Sequence, residues 1–154
     1  MIDKQFDILE KTRTITLKII DGLSINQINT IPSGFNNNIA WNFAHLVVAQ
    51  QLLCYRMSGL DCNVDENSIN SYKKGTAPNP EVKMTEKELQ YFKELFVSNI
   101  DRIKQDYKSG KFNEYQHYTT SMDISLNCIE DAISFNNVHE GLHLGTILAL
   151  RKCV

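Results

Sequence analysis

The run from Ile39 to Met57 constrains this chain more than any other stretch. It reads Ile39-Ala40-Trp41-Asn42-Phe43-Ala44-His45-Leu46-Val47-Val48-Ala49 and continues through Leu52-Leu53-Cys54-Tyr55 to Met57. It is apolar nearly all the way round a helix. A surface helix needs only one apolar stripe, so a helix of this kind has to be covered on more than one side. No apolar run in the chain approaches the ~20 residues that span a bilayer. The cover is therefore expected from other helices. Asn36-Asn37-Asn38 supplies side-chain acceptors for the unpaired N–H groups of the first turn, and Gly59 ends the run.

Three further segments repeat with helical spacing. The first should run from about Asp3 to Asp21, with Phe6, Leu9, Leu17 and Ile20 on one face, and Gly22 stops it. Another opens at the capping box Thr85-Glu86-Lys87-Glu88, buries Leu89, Phe92, Phe96 and Ile103, and ends at Ser109-Gly110. The last is capped by Ser125 or Asn127 and buries Ile129, Ala132, Ile133, Phe135, Val138, Leu142, Thr146, Ala149 and Leu150. Arg151 and Lys152 suit its negative end. No run alternates long enough to make a strand. The expectation is an all-α fold, a four-helix bundle forming one domain over residues 1–154. Leu23–Phe35 reads as a polar, turn-rich link in which Asp21 and Ser24 could cap or turn. Leu60–Met84 is the longest stretch without periodicity, and such a loop usually crosses over or covers a site. Within it Lys73-Lys74-Gly75-Thr76 ends like a phosphate loop but lacks the upstream glycine and strand.

The chemistry-bearing residues are histidines. His139 and His143 are four apart in the last helix, so they share a face with Cβ atoms about 5–6 Å apart and can share one metal ion. His45 lies in the apolar second helix, where an unpartnered ring would carry a desolvation cost that a metal or a hydrogen bond removes. If the two helices face each other, His45, His139 and His143 form a three-histidine metal site. Imidazoles suit zinc, nickel, copper and iron alike. Glu140, Asn42 and Tyr118 are candidates for supporting or proton-handling groups, although Glu140 points about 100° from His139 and could simply be exposed. His117 is an outside candidate for a substrate contact. Trp41 reads as core, with an indole N–H that needs a partner.

Composition narrows the functional class. The formal net charge is −2 with lysines and arginines scattered, which argues against nucleic acid as a partner. The first residues lack a signal-peptide profile and no membrane segment is evident, so a cytoplasmic protein is expected. Cys54, Cys62, Cys128 and Cys153 form no C-x-x-C pair and read as free thiols, with a thiolate metal ligand as the lesser alternative.

Pro32-Ser33-Gly34-Phe35-Asn36-Asn37-Asn38-Ile39-Ala40-Trp41-Asn42-Phe43-Ala44-His45-Leu46, followed by His139-Glu140-Gly141-Leu142-His143-Leu144-Gly145, resembles the DinB/YfiT-like superfamily. The resemblance implies a four-helix bundle with a long crossover between helices 2 and 3, often a homodimer. It implies a divalent metal, usually nickel or zinc, at His45, His139 and His143. Some members use a low-molecular-weight thiol as cofactor in transfer or isomerisation. The chain is thus expected to be a metal-dependent transferase or hydrolase acting on a small electrophilic molecule. Three imidazoles leave a coordination position open, the pattern of a catalytic site. The alternative is a non-catalytic bundle that binds a small ligand or a protein partner.

His139-Glu140-Gly141-Leu142-His143 also satisfies H-E-x-x-H, in which the glutamate activates water for peptide cleavage. Only eleven residues follow His143, too few for the downstream helix that usually brings a third ligand, and no strand is evident to hold a peptide.

Overall fold

The computed structural model describes residues 2–154. Four long helices carry the architecture: α1 (Ile2–Asp21), α3 (Ile39–Gln50), α5 (Glu86–Lys108) and α6 (Ile129–Arg151). Two short ones, α2 (Ile25–Asn29) and α4 (Glu66–Tyr72), sit in the connections. Helices α5 and α6 each pack against both α1 and α3, so α1 and α3 lie on one diagonal of the bundle. Every residue of α3 is buried, as an all-round apolar helix requires.

The helix ends follow side-chain chemistry. Asn38 caps α3 by accepting from the Trp41 N–H at 2.8 Å. Thr85 and Glu88 form the expected capping box of α5. α6 differs from expectation. Its N-cap is Cys128, whose side chain makes no capping bond, while Ser125 lies in a strand and Asn127 donates its N–H to Asp131 at 2.9 Å.

The connections hold more structure than their sequences suggested. Ser24 and Gln27 form a capping box that opens α2 inside the polar link, and Asp65 caps α4 inside the crossover. Helices of five and seven residues are too short to display a period. Tyr118–Thr119 (β1) pairs antiparallel with Ser125–Leu126 (β2), and strands of two residues show no alternation either. The hairpin turns at Asp123, whose φ of 57° is left-handed.

Beyond Gln50 the α3 rod continues as a π turn, Gln51–Tyr55, and a 3₁₀ turn, Arg56–Ser58, before Gly59 stops it at φ 70°. In the π turn Gln51, Cys54 and Tyr55 are buried while Leu52 and Leu53 face a cavity.

The core has two apolar halves. One gathers Ile20, Phe43, Leu46, Phe92, Phe96 and Ile147. The other gathers Phe6, Leu9, Cys54, Ile103 and Ile133. Each fully buried side chain of this size contributes about 1.5–3 kcal/mol. Between the halves lies a polar waist centred on Arg13, which is completely buried. Its guanidinium donates to Glu140 Oε1 at 2.6 Å, to Gln50 Oε1 at 2.9 Å and to the Phe96 carbonyl at 2.7 Å. One side chain thereby ties all four long helices. Glu140, for which the sequence left open a supporting role or plain exposure, is wholly buried here, and Asn136 Nδ2 donates to it as well at 3.0 Å. The outer face of α6 shows the opposite departure, because Val138 and Leu142 are 48% and 55% exposed and Ala149 is exposed too.

Candidate metal centre

Three imidazoles meet where α3 and α6 face each other. His45 is buried, and His139 and His143 are half-buried. One ring nitrogen from each lies within 4.8 Å of the others. His45 Nε2 and His139 Nε2 are 3.2 Å apart. Two nitrogens bound to one tetrahedral ion at ~2.0–2.1 Å would stand about 3.3 Å apart, so this edge is close to that of a coordination sphere. No other cluster of three histidine, cysteine or acidic side chains with this spacing occurs among the described residues.

The far nitrogens decide which lone pairs face inward. His45 Nδ1 lies 2.6 Å from the Tyr72 carbonyl, an obligate acceptor, so Nδ1 carries the proton and Nε2 is the free donor to a cation. Asn42 Nδ2 donates to the Asn38 carbonyl at 2.7 Å, which leaves its Oδ1 to accept from His143 Nδ1, also at 2.7 Å. His143 Nε2 is then likewise free. His139 Nδ1 is buried with no partner. Trp41 stacks on His45 with centroids 4.6 Å apart and planes 10° apart, and its indole N–H is satisfied by Thr76 Oγ1 at 3.0 Å.

Electrostatics favour neutral rings, the form that binds metal. Burial, reinforced by the neighbouring His143 and His45, pushes His139 down to about 3. Burial and His45 push His143 down to about 4. Burial lowers His45 too, opposed by its bond to the Tyr72 carbonyl.

The cluster forms part of the wall of a cavity of about 600 Å³. Its other walls include Leu52, Leu53, Met57, Phe135 and Tyr118. That size suits a small ligand. A larger cavity of about 820 Å³, of mixed polar and apolar lining, lies across Trp41, beneath the crossover, and none of the three histidines lines it.

The remaining candidates separate cleanly. Asn42 orients His143, and Tyr118 lines the cavity. His117 is exposed on the hairpin, bonded to Asn127 and Thr119, and does not line it. Glu140 directs its carboxylate to Arg13 and Asn136 and is not in the cavity wall. The H-E-x-x-H reading therefore loses its general base. Burial pushes the Cys54 thiol up to about 12, which argues against a thiolate there. Sequence reasoning missed the Tyr72 carbonyl, which belongs to the unforeseen α4, and the Trp41–Thr76 bond. It also missed Arg13, although this residue lies on the same helical stripe as Phe6, Leu9 and Ile20.

A helical bundle with three imidazoles converging from facing helices defines a class of protein able to hold a metal between those helices. Residues 8–147 match the DinB superfamily, and the chain belongs to that superfamily. No curated protein matches it. Among the described residues no helix is long and apolar enough to cross a membrane.

Proposed function

We propose that His45, His139 and His143 bind one divalent cation, nickel or zinc, and that the cavity beside it is an active site. There water or a low-molecular-weight thiol would attack a small electrophile, in a hydrolase or S-transferase reaction. The observation that carries this reading is the convergence of one ring nitrogen from each histidine to within 4.8 Å, with the Nδ1 atoms of His45 and His143 engaged by other acceptors. Bound there, the cation would bring the pKa of coordinated water or thiol toward neutrality and polarise the electrophile.

The chain's own groups do the rest. Trp41 and the Tyr72 carbonyl hold His45, and Asn42 holds His143. Leu52, Leu53 and Phe135 exclude water from the inner wall. The Tyr118 phenol in the wall can donate a hydrogen bond to charge developing on the substrate.

Elemental analysis of tag-free protein tests the metal. About one nickel or zinc per chain is expected, with His45→Ala and His139→Ala each losing most of it. A site empty even after incubation with both metals would overturn the reading. The loaded protein would then be screened with thiol cofactors and electrophiles. Metal without turnover would favour the rival reading, a bundle that binds a small ligand without transforming it.

A further inference from the structure

The walls of the histidine cavity carry charge of one sign. Arg56, Lys73 and Lys74 line it, and no aspartate or glutamate does. Arg56 is paired with Glu66. Lys73 Nζ donates to the neutral amide of Asn70 at 2.9 Å and keeps its charge uncompensated. Lys74 has no salt-bridge partner among the described residues.

These two lysines are not on a loose loop. Their turn is fastened to the site at both ends. On one side the Tyr72 carbonyl accepts from His45 Nδ1. On the other, Thr76 Oγ1 accepts from the Trp41 indole, with the Ser71 and Lys73 carbonyls each 2.8 Å away to receive its proton. Gly75, at φ 89°, closes the turn in a conformation that a side chain would strain. Trp41 and His45 are one helical turn apart on α3, so the lysines are held across the same face that presents the imidazole.

The cavity is therefore polarised. Lys73 and Lys74 are exposed and form its rim, while Ala49 and Phe135 are buried and form its inner wall. Leu52, Leu53 and Met57 lie between, half-buried. An occupant has to be apolar along most of its length, and negative charge is favoured at the end that meets the rim. A cation at the histidines would add field of the same sign.

We propose that this site takes a small amphipathic anion, an apolar body bearing a carboxylate or phosphate that Lys73 and Lys74 hold at the rim. The assignment deepens the metal-site reading and rests on it for which end of the ligand reacts.

The test is calorimetry on metal-loaded full-length protein with octanoate, octanol and octylammonium as probes, with metal content measured in every sample. Octanoate is expected to bind about tenfold more tightly than octanol, with octylammonium the weakest and the octanoate preference shrinking at high salt. Lys73→Gln/Lys74→Gln is expected to lose that tenfold while keeping its metal and its melting temperature, and Lys73→Arg/Lys74→Arg to restore it. Three probes binding alike, no octanoate binding, or octanoate affinity unchanged in the Gln pair would overturn the proposal even with full metal content. Protein that takes up no metal after incubation with nickel and zinc yet still prefers octanoate would overturn the metal reading alone and leave the anion assignment standing.

Discussion

Asn42 decides which nitrogen His143 offers. Its amide nitrogen is committed to the Asn38 carbonyl, so its oxygen accepts the Nδ1 proton and Nε2 keeps its lone pair free. Asn38 is itself held, because its Nδ2 donates to the Asn29 carbonyl at 3.1 Å. Partners of this kind typically change metal affinity 10–100-fold when removed. Asn42→Ala is expected to weaken zinc binding by about that factor in a chelator-competition titration. The helix should survive, since Asn38 and not Asn42 caps it. Asn42→Asp keeps an acceptor and should bind at least as well as wild type. Equal affinity for all three proteins would mean that packing against Trp41, not this hydrogen bond, sets the ring. At this scale the histidines were legible for simple reasons. His45 is an ionisable group in an apolar helix, and the 139/143 pair shares a face by spacing alone. Asn42 was legible only as a choice between orienting a ligand and capping. The Tyr72 carbonyl was not legible, because a backbone acceptor leaves no mark on residue type.

The four long helices are joined at Arg13 more tightly than their apolar faces alone would require. Its ion pair with Glu140 is fully buried, so both charges have lost their water. Such pairs contribute little net stability as pairs, but leaving one member alone costs about 3–5 kcal/mol. Arg13→Ala is expected to lower the unfolding free energy by about that amount in urea titrations, and Glu140→Leu similarly. Arg13→Met/Glu140→Leu should be less destabilised than either single variant. A double variant as weak as the sum would mean that the two residues act independently. The waist also explains why Glu140 misled. Its angle from His139 followed from helix geometry, but what stood at that angle depended on α1, about 127 residues earlier in the chain. Helices α1 and α5 were legible from period, caps and stop signals to within a residue or two, whereas the helix expected to run to Met57 leaves α geometry after Gln50 and α6 opens at Cys128 rather than at Ser125 or Asn127. Helices α2 and α4 and the hairpin were not, since elements of two to seven residues are shorter than the pattern that would reveal them.

Taken whole, the molecule places its ionisable cluster beside the polar waist and on the wall of its apolar cavity, and this couples folding to pH. The diagonal order of the bundle was not readable in advance, because helix faces show what is buried but not which neighbour buries it. In metal-free protein all three imidazoles are held neutral by burial. The same side chains in the unfolded chain titrate near the ordinary value of 6.5. As pH falls through 6.5 the unfolded chain therefore takes up protons that the folded chain refuses. Stability is whole above that point and drains progressively toward about 4 for His143 and about 3 for His139. Melting temperatures of chelator-treated protein should be flat from pH 8 to about 7 and fall steadily between about 6.5 and 4. His139→Gln should flatten that slope, because glutamine takes up no proton in either state. Bound zinc should hold the melting temperature up until protons displace it, so that occupancy and stability fall together in a parallel metal assay. A metal-free protein whose melting temperature is level across that interval would mean that water already reaches the rings and that the cluster is not held neutral by burial.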